Sequence, residues 1–141
     1  MKIKSIIFIT LFLVVILTGC SSWNVEEVQP IVDEFYNRMN NEDFTGLNSM
    51  IHERWFEATS EEKTIEFFKK INSEFGTTTT NEMTDWQVKS IIGTDGGTYF
   101  TLKYDTQRTI KNSIDTFTLY KPSNSNKFYI LGFNAYVDLM S

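Results

Sequence analysis

The sequence predicts an α+β fold in which N-terminal helices pack on a curved four-stranded antiparallel sheet. Three features predict it. Apolar residues recur at helical spacing between Val25 and Phe75, and the period changes to two after the Thr77–Thr80 run. Two turn-forming stretches then divide the second half into strands.

The chain opens with a short positive segment, Met1-Lys2-Ile3-Lys4, and an apolar run from Ile6 to Leu17 broken only by Thr10. About a dozen helical residues would cover only ~18 Å, well short of a bilayer core of ~30 Å. A positive start, a short apolar core and small residues at its end describe a secretory signal. A buried core helix would need a polar face and an amphipathic period, and this run has neither. It ends in Leu17-Thr18-Gly19-Cys20, which carries the single cysteine of the chain. These four residues resemble the bacterial lipoprotein box. The resemblance implies that residues 1–19 are removed and that the Cys20 thiol carries a diacylglyceryl group. In many bacteria the new amine is acylated as well. A disulfide role is weaker, since a lone cysteine has no internal partner. Two or three acyl chains hold a protein to a membrane nearly permanently, whereas one does so only marginally. Ser21 after the cysteine implies the outer membrane in a Gram-negative cell. In a Gram-positive cell the anchor implies the extracytoplasmic face of the cell membrane.

Residues 20–24 then form a lipidated start and tether, and residues 25–141 form one domain. Asn24 with Glu27 is a candidate N-terminal capping box. Val25, Val28, Val32, Phe35, Tyr36 and Met39 make an apolar stripe, with Pro30 either kinking this helix or starting it. Asn40-Asn41 stops it. A short second helix is predicted over Asp43 to Met50, with Phe44, Leu47 and Ile51 facing in. A third starts at Thr59-Ser60-Glu61-Glu62, points Ile65, Phe68, Ile71 and Phe75 inward, and ends at Gly76. The Thr77–Thr80 run reads as an exposed loop or a strand start. Trp86-Gln87-Val88-Lys89 alternates before Ile91-Ile92, and Gly93 to Gly97 supplies a hairpin turn. Phe100, Leu102 and Tyr104 alternate with Thr101, Lys103 and Asp105, then Phe117 and Leu119 with Thr116, Thr118 and Tyr120. Lys121 to Lys127 forms a second turn before a last strand over Phe128 to Val137.

Loss of the signal segment removes two lysines and takes the net charge from −5 to −7. An acidic domain is a poor nucleic-acid binder and is repelled by anionic lipid, so no nucleic-acid partner is expected. Aromatic residues make up 15% of the chain, enough to build a core or to line a cavity. No repeat, low-complexity block or second domain is visible.

The order of elements resembles the nuclear-transport-factor-two-like, or cystatin-like, cone. More narrowly, it is similar to small envelope lipoproteins of bacteria that carry this fold. The residues that carry the resemblance are Phe35-Tyr36, Asn41-Glu42-Asp43-Phe44, Leu102-Lys103-Tyr104-Asp105-Thr106 and Lys127-Phe128-Tyr129-Ile130-Leu131-Gly132. Phe128 stands where relatives often have Trp. The resemblance implies a fold and an envelope setting. It implies no activity.

Chemistry-bearing residues are few. His52 is the single histidine, and with no second histidine or cysteine cluster it does not suggest a metal site. A helix-end histidine making one hydrogen bond is the simpler reading. Enzymes of the cone fold use a cavity Asp, Tyr or His, which directs attention to Tyr104 and Asp105. Adjacent strand residues point to opposite faces, so an inward Tyr104 leaves Asp105 in solvent and no paired site. Trp55, Trp86, Tyr99, Tyr120, Phe133 and Tyr136 either line a pocket or cover the sheet, and exposure of Tyr99, Tyr120 and Tyr136 on it would favour a self-assembling scaffold.

The sequence therefore leads to a membrane-anchored envelope lipoprotein, a non-enzymatic binding domain for an envelope protein or a small apolar ligand. No cofactor, metal or catalytic residue is expected. A homodimer or other self-assembled scaffold is the first alternative, and an isomerase- or dehydratase-like cavity enzyme the second.

Overall fold

A computed structural model describes residues 24–139. The expected signal segment, Cys20 and the tether before Asn24 lie outside the described residues. A 3-10 turn, Val25–Glu27, is capped by the Asn24 side chain, which accepts the Glu26 amide. Helix α1, Gln29–Asn40, follows directly with Pro30 in its first turn, where a missing N–H costs nothing. Pro30 thus starts the helix rather than kinking it, and the Asn24 cap serves the turn before it.

Helix α2, Phe44–Ser49, is capped by Asp43, which accepts the Gly46 amide. Helix α3, Glu53–Ala58, has no counterpart among the three expected helices. Its six residues are too few to display a helical period, and so short a helix exists only through tertiary packing. Helix α4, Glu61–Phe75, begins at Ser60, whose hydroxyl accepts the Lys63 amide, and buries Thr64, Phe68, Ile71 and Phe75. Ile65, expected inside, is half-buried. The helix ends at Gly76, where φ is +81° and an added Cβ would collide with Thr109 Oγ1.

Strands β1 (Thr78–Ile91), β2 (Gly97–Arg108), β3 (Ser113–Pro122) and β4 (Tyr129–Val137) form one antiparallel meander in the order β1-β2-β3-β4. The threonine run proves to be the start of β1, paired with the end of β2. Register shifts near Thr78–Thr80, Met83–Asp85 and Thr118–Leu119 mark bulges, which bend and twist a sheet. Helices followed by an open four-stranded sheet match the predicted α+β class and the nuclear-transport-factor-two-like cone.

Parity decides what lies inside. Phe100, Leu102 and Tyr104 of β2 are buried while Thr101, Lys103 and Asp105 are exposed, as the alternation predicts. Phe35 of α1 sits among the rings, 5.0 Å from Phe117 edge-on, 4.7 Å from Phe133 and 5.7 Å from Phe68. At the far side of the sheet, Ile51 bridges Ile130. The Ile130 amide donates to Met50 O and the His52 amide donates to Ile130 O, each at 2.9 Å, so the α2–α3 connection covers the β4 edge.

Truncating Phe35 removes the hub of this ring cluster. Phe35→Ala is predicted to cost about 3–5 kcal/mol of unfolding free energy in a urea titration. A loss under about 1 kcal/mol would show that the rings close without it.

Candidate functional site

The same alternation that buries Phe100, Leu102 and Tyr104 carries on down β2 to Thr106 and Arg108, and on β3 it buries Ser113, Asp115, Phe117 and Leu119. An arginine and an aspartate therefore arrive on the core face of neighbouring strands. Their side chains are wholly buried, with Arg108 Nη2 2.7 Å from Asp115 Oδ2. Ser113 Oγ donates to Asp115 Oδ1 at 2.7 Å and accepts Arg108 Nε–H at 2.9 Å. Tyr36 of α1 donates its hydroxyl to Asp115 Oδ2 at 2.8 Å. That uses its only proton, so Thr106 donates to the Tyr36 oxygen at 3.1 Å. Arg108 also reaches the Gly76 carbonyl and lies 5.9 Å from the ring centres of Tyr36 and Phe75.

Burial, reinforced by the Asp115 charge, pushes the Tyr36 phenol far above its ordinary range. The hydroxyl is thus a fixed donor and not a proton shuttle near neutral pH. Both carboxylate oxygens of Asp115 are engaged by side chains of the chain itself. A general base must reach a substrate proton directly or through one water. Here three side chains of the protein itself donate to the carboxylate, and the arrangement works as a structural clasp joining α1, β2, β3 and the end of α4.

Tyr104 faces inward as the alternation requires, and donates to Gln29 Oε1 at 2.9 Å. Asp105 is on the opposite, solvent face. His52 caps α3, its Nδ1 accepting the Arg54 amide at 3.2 Å, and its ring meets Tyr120 and Tyr129 edge-on at 5.0 and 5.2 Å. Arg54 donates to the Tyr99 hydroxyl at 2.9 Å and sits 5.3 Å from the Tyr120 ring centre. Tyr99 and Tyr120 stack at 4.7 Å. These contacts decide which of the three sheet tyrosines are exposed. Tyr136 is exposed and Tyr99 half-buried, but Tyr120 is buried, covered by His52 and Arg54 and tied to the Gly96 carbonyl. Trp55 stacks on Phe68 and donates to Thr64, Phe133 is core, and Trp86 is 45% exposed. Cys20, the expected lipidation site, lies outside the described residues.

Depressions of about 390 and 650 Å³ lie on the surface, the first lined by residues such as Glu82 and Asp105, the second by Asp43, Phe44 and Lys69. Arg108 and Asp115 line neither. Among the described residues, no group of three or more His, Cys, Asp or Glu side chains is placed to hold a metal ion. No helix among them is long and apolar enough to cross a membrane. No protein-family description, curated protein or solved structure matches this chain.

Sequence reasoning missed the Arg108–Asp115–Tyr36 clasp. Its signal was present: Asp115 shares parity with Phe117 and Leu119, a charge on the apolar phase of a strand.

Two outcomes follow from this geometry. Asp115→Ala strands a buried guanidinium and is predicted to cost about 3–5 kcal/mol, while the double change Arg108→Met with Asp115→Leu costs less than that. Chemical denaturation of the three chains checks both values. Burial, together with the Asp33 charge, pushes the Tyr104 phenol up to about 12 from 10.0. As pH rises through that interval the unfolded chain releases a proton that the folded chain keeps, so stability falls. Tyr104→Phe should lose less stability than the parent over this window, and an unchanged slope would place the phenol in water.

Proposed function

We propose that the protein is a membrane-anchored envelope lipoprotein, held through acylated Cys20, whose domain binds a protein partner on its outer surface and has no catalytic chemistry of its own. The observation that carries this reading is the aromatic core with its self-paired buried charges. Phe35, Phe68, Phe117 and Phe133 fill the space between helices and sheet, and the buried charges satisfy each other. Binding sites for small ligands are concave and mostly apolar. What the domain offers to a partner is on its exterior.

Four exposed apolar side chains support the choice of a protein partner over a small apolar ligand. Ile110 (61% exposed) lies in the β2–β3 turn, and Tyr136 (57%), Val137 (46%) and Leu139 (89%) lie at the end of β4, with Tyr136 and Val137 on opposite faces of the sheet. The two segments are joined there by the Asp138 amide donating to Asn112 O. Apolar side chains left exposed at this end of the sheet offer surface to a protein partner. A self-assembled scaffold is the second reading, supported by the free edge of β1 described below.

Cys20→Ala is predicted to move the protein from the membrane fraction to the soluble fraction. Retention of the variant in membranes would remove the anchor. Native mass spectrometry of the full chain released from its own host's membranes tests the rest. A stoichiometric second protein supports partner binding, whereas a small added mass that is lost on denaturation would replace it with ligand binding.

A further inference from the structure

Strand β1 is the edge of the sheet, and among the described residues no strand pairs with its outer side. It is 14 residues long, and nearly all of it is exposed or half-buried. A long open edge is a template for another strand, and proteins usually blunt it. In β1 the bulge at Met83–Asp85 blunts the first half. From Asp85 to Ile91 the pairing with β2 is regular, Asp85 opposite Lys103 through Ile91 opposite Gly97. The open edge is therefore straightest where the sequence reads Asp85-Trp86-Gln87-Val88-Lys89.

These five residues are self-complementary. Directly opposed residues of an antiparallel pair project to the same face. Trp86 and Val88 lie opposite Leu102 and Phe100 and so share the helix-covered face, while Asp85, Gln87 and Lys89 lie opposite Lys103, Thr101 and Tyr99 on the outer face. If a second copy is laid antiparallel about Gln87, Asp85 of each chain falls opposite Lys89 of the other. Trp86 falls opposite Val88, and the two Gln87 residues meet. Every pair matches in face, and every pair is favourable: two opposite-charge pairs, two aromatic–β-branched pairs and one amide pair. Neither Asp85 nor Lys89 is in an ion pair within the described chain. Asp85 Oδ1 accepts the Trp86 amide at 2.9 Å, which leaves Oδ2 for the partner's ammonium. Trp86, at 45% exposed, is the large apolar side chain the pairing would cover.

We propose that the β1 edge over Asp85–Lys89 pairs with the same segment of a second copy of this chain, antiparallel and centred on Gln87, making one continuous eight-stranded sheet. The inference goes beyond the membrane reading and holds whether or not Cys20 carries lipid.

Disulfide trapping in the full chain, in membranes of its own host, tests it. Opposed Cα atoms in an antiparallel pair lie ~4.5–5.5 Å apart, within disulfide reach. Gln87→Cys should therefore give a covalent dimer under mild oxidation. The parent chain, whose single native thiol is Cys20, sets the background. Lys103→Cys, on the same face one strand inward, should not rise above it. In the Gln87→Cys chain, adding Lys89→Glu sets like charges opposite each other twice and should lower the trapped fraction about tenfold. Adding Asp85→Lys as well reverses both signs and should restore it to within about twofold. All three side chains are exposed, so protein level and protease resistance should stay those of the parent. No Gln87→Cys dimer, an equal yield from Lys103→Cys, or a cross-link to a different protein overturns the pairing. A loss on Lys89→Glu that the double reversal does not repair overturns the register.

Discussion

Two charges sealed from water set the terms for the rest of this molecule. An unpaired guanidinium or carboxylate in the core costs several kcal/mol, so Arg108 and Asp115 must find each other whenever the chain folds. They sit near opposite ends of the β2–β3 connection, and their meeting fixes how those strands begin to pair. Asp115 then draws in Tyr36, which places α1, and Arg108 reaches Gly76, where α4 gives way to β1. Four elements are thus referred to one point. A hydrophobic substitute of equal volume would hold them together as firmly, but would not say which residue of each element belongs there. A slip of one residue in β2 or β3 would turn a charge outward and leave its partner buried alone.

How legible this was depended on the range of the interaction. Helices α1 and α4, their caps and the alternation of β2 come from neighbours in sequence, and were readable there. Pro30 left two options, and the Asn24 cap on the preceding turn decides between them. Helix α3 was invisible because six residues cannot show a period, and because it is held by contacts remote in sequence: Arg54 to Tyr99, Trp55 to Thr64, His52 to Ile130. The burial of Tyr120 was not legible for the same reason. Its strand position puts it on the outer face, where aromatics are commonly exposed. The chain entering α3, folded over the β4 edge, brings His52 and Arg54 across it. The Asp115 clasp was legible in part, since parity gives the face but not which of several polar partners will meet on it.

The interior and the edges follow opposite rules. Inside, rings pack on rings and the two buried charges of the clasp pair with each other. The β4 edge is bonded on its open side at Ile130, by Met50 and His52. The β1 edge receives no such cover beyond its first residues, where Asn40 exchanges two hydrogen bonds with Thr78. An edge left straight, with charges placed antisymmetrically along it, suits pairing with a copy of itself.

The geometry of that edge also bears on the anchor. Pairing about Gln87 keeps like faces together, so both helical layers lie on one side of the joined sheet. Val25 and Val28 pack into the core from that side, so both copies present their first described turn on the same side of the joined sheet. Three residues separate Cys20 from Asn24, four steps of chain that reach at most about 14 Å when extended. Were both copies lipidated at Cys20 as proposed, one bilayer would hold them within reach of each other. A five-residue edge is a small contact, and two free domains in dilute solution would associate weakly through it. Confinement to one membrane raises the effective concentration of each for the other, which is the condition under which a weak, specific edge becomes sufficient. With the anchor proposed at Cys20, a short tether and a self-matching strand both suit a domain that works beside a second copy.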